Sequence, residues 1–151
     1  MPLAPLDAIA AMVGREVGIS SWLAIDQDRI DRFAEATDDH QFIHTDPDAA
    51  IAAGLGGTIA HGFLSLSLLS VMGAEAMLVP EGTRMAINYG FERVRFLAPV
   101  AAGKRVRGHF RLDSVDERRE GQCLLRHDVT VEIEDEDKPA LTAQWLSLFL
   151  L

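Results

Sequence analysis

Two kinds of hydrophobic pattern divide the chain. In the first part, apolar residues recur mostly at helical spacing. Leu6 to Val13 predicts a short helix ended by Gly14, and Val17 to Ile25 predicts a strand. Asp26 is a good N-cap, and Ile30, Phe33 and Ala34 repeat at i, i+3 and i+4, so an amphipathic helix ending near Thr37 follows. Asp38 to Asp48 is polar, crowded with ionisable groups and without a period, which predicts an ordered loop. Asp46 or Asp48 can cap an Ala-rich turn over Ala49 to Ala53, which Gly54, Gly56 and Gly57 break.

His61 to Leu78 is apolar on nearly every side, with small residues interspersed. Such a helix is either central in a domain or a membrane span. Glu75, three serines and two glycines make it too polar for a span. Beyond it, Met85 to Leu97, Lys104 to Val115, Gln122 to Glu134 and Leu141 to Leu150 predict strands, with alternation clearest at Val129-Thr130-Val131-Glu132-Ile133. Breaks at Pro99 to Gly103, Asp116 to Gly121 and Asp135 to Pro139 are short, which predicts antiparallel meander pairing. The whole order predicts an α+β class, a curved antiparallel sheet wrapped around a long central helix. A length of 151 residues, without repeat or linker, predicts one domain over residues 1–151.

Composition narrows the function. The net charge of −9 argues against nonspecific nucleic-acid binding, which depends on phosphate neutralisation. The charge is uneven, however. Arg84 to Arg111 holds seven basic residues and one acid, Glu92, so it is either a solvated strand face or a cradle for a small polyanion such as a nucleotide phosphate. Cys123 is the only cysteine, so no intramolecular disulfide is available, and a lone thiol fits a reducing compartment. The start Met1-Pro2-Leu3-Ala4-Pro5 lacks a basic n-region, which leaves the cytoplasm as the expected location.

Three of the five histidines, His40, His44 and His61, lie between Asp38 and Gly62, among Asp38, Asp39, Asp46 and Asp48. Three readings fit these residue types: a hydrogen-bonded loop, an acid–base site pairing imidazole with carboxylate, or a metal site. Gly62 falls where the buried helix should start. Unpaired N–H groups there, with no side chain in the way, would suit a carbonyl oxygen; a simple turn glycine is the other reading.

The combination of Phe33-Ala34-Glu35-Ala36-Thr37-Asp38-Asp39-His40-Gln41-Phe42-Ile43-His44-Thr45-Asp46-Pro47 with Gly57-Thr58-Ile59-Ala60-His61-Gly62-Phe63 resembles the MaoC-like dehydratases, which include (R)-specific enoyl-CoA hydratases and proteins resembling nodulation protein N. The run Ile87 to Val100 also looks like the family's first long strand, and the resemblance spans roughly residues 8 to 150. It implies a single hot-dog fold and reversible hydration of a trans-2-enoyl thioester to an (R)-3-hydroxyacyl thioester. Asp39 and His44 match the catalytic pair that activates water, and Gly62 matches the glycine that polarises the thioester carbonyl. Ser67, six residues after His61, matches a serine that often supports the site. No metal and no separate cofactor is implied, since coenzyme A is part of the substrate. Its phosphates would need cations, for which Arg93, Arg95 and Lys104 are candidates; acyl carrier protein is the alternative carrier. The resemblance also implies a homodimer with joined sheets, and no nucleic-acid or membrane partner. Two positions depart from the family. Asp38 stands where it often has glycine, and Phe42 where it often has proline. A thioesterase, a non-catalytic acyl-thioester-binding protein and a metalloenzyme remain as rivals.

Overall fold

The computed structural model describes residues 2–151. In chain order the elements are β1 (Leu3–Ala4), α1 (Leu6–Ala10), β2 (Glu16–Ile19), β3 (Leu23–Ala24), α2 (Gln27–Thr37), α3 (Phe42–Thr45), α4 (Pro47–Ala52), α5 (Gly62–Ser67), α6 (Leu69–Ala76), β4 (Val79–Pro80), β5 (Met85–Phe96), β6 (Arg105–Arg119), β7 (Gln122–Ile133) and β8 (Leu141–Leu150). The main sheet is antiparallel in the order β2-β6-β7-β8-β5, with β3 also pairing β6. β1 and β4 form a separate parallel pair. No helix among the described residues is long and apolar enough to cross a membrane.

The sheet wraps α5 and α6 because of its alternation. Along β7, Cys123, Leu125, His127, Val129, Val131 and Ile133 are buried on one face, while Arg126, Asp128, Thr130 and Glu132 turn outward. The helices bury Leu64, Leu69, Met72 and Ala76 against that inner face, in one cluster with Phe110, Val129, Val131 and Trp145. A second cluster joins Ile9, Val79, Leu112, Cys123, Leu125 and Phe149. Two glycines permit close approach. A Cβ on Gly18 would lie 2.2 Å from the Ala76 carbonyl oxygen, and one on Gly73 would lie 2.7 Å from the Trp145 ring.

Several expectations need correction. The meander holds for β6-β7-β8, but β5 sits beyond β8 rather than beside β6. Short length misled here, because Pro99 to Gly103 is no hairpin turn. It crosses over and pairs with the segment before α5: Ala60 N–H donates to Val100 (2.8 Å) and Ala102 N–H to Thr58 (2.9 Å). The strand expected over Val17 to Ile25 is two short strands separated at Ser20 to Trp22. There Ser21 turns away from the sheet, its amide donating to Glu75 at 3.0 Å. The central helix is interrupted at Leu68, where ψ opens to −13°. The Ser67 hydroxyl donates to the Phe63 carbonyl at 2.7 Å just before the break, a bond that competes with the helix ladder. The helix also stops sooner, with Met77 extended. Helix α1 ends at Ala10 and gives way to a turn before Gly14.

Candidate active site

Helix α2 starts as its sequence requires, with the Asp26 carboxylate accepting from the Arg29 amide at 2.9 Å. It ends at Asp38, whose φ of 57° is left-handed. Glycine takes that conformation most easily, and aspartate is one of the few other residues that tolerate it. The turn brings Asp39 back over the start of α5.

The stretch expected as a loop holds two helical turns. In α3, Gln41 is the extended N-cap, Phe42 the first residue and His44 the buried one. Asp46 caps α4, its carboxylate accepting from the Ala49 amide at 3.0 Å, with Pro47 at the first position.

His44 is held on three sides. Its Nδ1 lies 2.7 Å from the Ile59 carbonyl, which can only accept, so Nδ1 carries the proton and Nε2 keeps its lone pair. The Gln27 carboxamide donates to the His44 carbonyl at 2.8 Å, and the Thr58 hydroxyl in turn donates to the Gln27 oxygen. The His61 ring stacks on His44 with centroids 3.7 Å apart. His61, also buried, donates through Nε2 to the Asp39 backbone carbonyl at 2.9 Å. The Asp39 side chain is exposed, with a long contact from the Gln41 amide at 3.4 Å. Ligating atoms of Asp39, His44 and His61 all lie within 4.8 Å of one another, so this set is also capable of holding a metal ion.

A cavity of about 270 Å³ opens beside this cluster. His44, Gly62 and Ser65 line its polar side, and Ile59, Phe96 and Val100 its apolar wall. Gly62 is the first residue of α5, and its N–H finds no acceptor among the described residues. A Cβ there would meet the Phe96 ring at 3.0 Å. Glycine thus leaves the donor accessible and lets Phe96 close over it.

Of the residues singled out from sequence, Asp39 comes together with His44, and His44 shares the cavity with Gly62, while Asp39 lies outside the cavity's lining. Ser67 joins neither: it is exposed, and its hydroxyl is spent on the Phe63 carbonyl. Ser65 lines the cavity instead, three residues after Gly62 on the same helix face, a spacing that could have found it. Arg93, Arg95 and Lys104 are absent from this cavity's lining. Lys104 is paired with Glu136 at 3.1 Å, so its charge is already answered. Arg93 lies in a separate cleft beside Thr130 and Gln144. Arg95 donates to its neighbour's carbonyl, Val94.

Three more of the seven basic residues are neutralised across the sheet. Arg105 pairs with Glu134, Arg107 with Glu132 and Arg111 with Asp128. Hydrogen bonds from Arg107 and then His109 hold the Glu132 carboxyl below its ordinary value. The solvated-face reading therefore accounts for these residues.

The family model for the MaoC-like domain matches residues 8–133. The chain belongs to the MaoC-like dehydratase family. It is 51% identical over 144 residues to nodulation protein N of Rhizobium meliloti, covering 95% of this chain and 89% of that one. It is 44% identical over 136 residues to 3-hydroxyacyl-thioester dehydratase Z of Mycobacterium tuberculosis, covering 90% and 89%. Among solved structures, the monoamine oxidase regulatory protein of Archaeoglobus superposes with a TM-score of 0.82 at 22% identity, covering 99% and 96%. That likeness carries the fold: the MaoC-like chain is an α+β hot-dog, and its family is one of hydro-lyases.

Proposed function

We propose that this MaoC-like dehydratase hydrates trans-2-enoyl thioesters reversibly to (R)-3-hydroxyacyl thioesters. The observation that carries this reading is that His44 links two features: its imidazole lies within 4.8 Å of an Asp39 carboxylate oxygen, and it lines an apolar cavity together with Gly62, whose N–H is free. In this reading the thioester carbonyl accepts from Gly62, which stabilises the enolate as its charge develops. Asp39 and His44 hold one water against C3. As the water oxygen bonds to C3, one of its protons passes to the pair, and a proton is delivered to C2 on the same face. In this reading the base is the pair and not either residue alone. The chemistry needs no metal or separate cofactor, because coenzyme A arrives with the substrate. Arg93 and Arg95, without carboxylate partners among the described residues, are the cations left for its phosphates, and acyl carrier protein is the competing carrier.

Loss of enone absorbance with crotonyl-CoA and longer enoyl-CoAs tests the reading. Asp39→Asn and His44→Ala should each lower turnover about 10²–10⁴-fold. Near-normal hydration in both variants would sink it. Free thiol release would favour a thioesterase. Thioester binding without an absorbance change would favour a non-catalytic role. Loss of activity to a chelator would favour the metal reading that the cluster also allows.

The same proposal includes a homodimer acting in the cytoplasm. Among the described residues β5 pairs only with β8 and leaves its outer edge open, next to exposed Phe63, Met85, Ile87 and Tyr89. An open edge beside apolar side chains is a template for a second strand. Gel filtration showing an active monomer would contradict it.

A further inference from the structure

We propose that His61 is a positioning residue that ties the three reacting groups into one unit: its Nε2–H clamps the Asp39 backbone, its ring face sets the His44 plane, and its backbone leads directly into Gly62. The kinetic part rests on the hydration reading; the structural part does not.

Each tie has its own observation. The 2.9 Å contact from Nε2 to the Asp39 carbonyl fixes the tautomer, because a carbonyl offers no proton. It is also the shortest hydrogen bond made by Asp39, whose side chain has only the 3.4 Å contact from Gln41. The ring lies 25° from parallel with His44 and is backed on its own side by Phe33, with centroids 5.0 Å apart. His61 is the extended N-cap of α5, so any movement of it displaces Gly62. Its remaining nitrogen, Nδ1, is buried and unpartnered. A residue serving only to fill this space would do better without that nitrogen, since a phenyl ring supplies the same stack with no acceptor to desolvate. What a phenyl ring lacks is the donor to Asp39.

Two variants separate these functions. His61→Phe keeps the stack and removes the clamp. His61→Gln removes the stack and returns an amide donor near the Nε2 position. Displacing a catalytic group by a fraction of an ångström is costly, so His61→Phe should lower kcat by about ten- to a hundredfold, with KM moving less than about twofold. His61→Gln should recover part of the lost kcat, because the clamp returns and the stack does not. Equal, wild-type kcat in both variants would overturn the proposal, as would a His61→Gln variant no better than His61→Phe. Histidine ¹⁵N spectra of the unsubstituted chain give a test independent of turnover. The expected result is a His61 proton on Nε2 and a His44 proton on Nδ1. A His61 proton on Nδ1 would overturn the clamp. The expected tautomers in a chain that hydrates no enoyl thioester would support the clamp and count against hydration.

Discussion

The Gln27 carboxamide nitrogen sits 2.8 Å from the His44 backbone carbonyl, joining the first turn of α2 to the buried histidine of α3. The same side chain accepts from the hydroxyl of buried Thr58, so one residue ties three segments. Gln27→Ala leaves both the carbonyl and the hydroxyl without a partner, which should cost about 1–3 kcal/mol in urea unfolding. Gln27→Glu keeps an acceptor for Thr58 but places a carboxylate against the His44 carbonyl. It should lower the urea midpoint at least as far as the alanine variant does. A Gln27→Ala protein with an unchanged urea midpoint would show that the network carries no stability.

Phe42 occupies the first position of α3 after an extended Gln41, and its side chain is 44% exposed. Its amide has no acceptor among the described residues. Those are the conditions under which proline fits a helix start. Phe42→Pro should raise stability by about 0.4–1 kcal/mol, chiefly by restricting the unfolded chain. Thermal unfolding checks it, and a lower midpoint would mean that the Phe42 ring makes a contribution its exposure hides.

Gly18 and Gly73 both lie under close neighbours, but the neighbours differ. A Cβ on Gly18 meets the backbone of Ala76, which cannot move without shifting the end of α6. A Cβ on Gly73 meets the Trp145 ring and the Met77 sulfur, and a methionine can repack. Gly73→Ala should cost about 1–3 kcal/mol. Gly18→Ala should cost more, and urea midpoints of the two should rank in that order.

His127 supplies a pH dependence. Burial pushes its imidazole down to about 4 from the ordinary 6.5, while the neighbouring Asp128 carboxylate pulls weakly the other way. Between those two values the unfolded chain takes up a proton that the folded chain refuses. Stability therefore rises with pH across that window, and acidification from pH 7 to pH 4 removes about 3 kcal/mol through this residue alone. His127→Leu should flatten that part of the profile, measured as urea midpoints at several pH values. A slope unchanged by the substitution would assign the acid sensitivity elsewhere.

Local rules were legible where local physics decides. The Asp26 cap, the buried Ile30 and Ala34 stripe, and the bounds of Leu141–Leu150 all follow from near neighbours in sequence. The polar stretch that holds Asp39 and His44 and the helix start at Gly62 were legible in the same way, but only the family resemblance singled out Asp39 and His44 among its ionisable residues. The place of β5 was not legible. Strand order depends on which distant partner wins, and Pro99 to Gly103 has the length of a turn but the contacts of a crossover. Gln27 escaped notice for the same reason, since only the folded chain brings it to His44 and Thr58. The basic stretch misled because its neutralising partners, Asp128 and Glu132 on the facing strand and Glu134 just past its end, are distant in sequence.

The pairing of β5 with β8 also sets an order of assembly. Phe96, the apolar wall opposite Gly62, pairs with Leu141 at the start of β8. Ala140, just before it, lines the same cavity. The segment that holds Asp39 and His44 can meet the start of α5 through contacts nearby in the chain, but their enclosure needs the latest strand in the sequence. Such long-range pairing is slow to form. A growing or truncated chain that lacks β8 would therefore leave His44 and Gly62 open to water, without the Phe96 and Ala140 wall of their cavity.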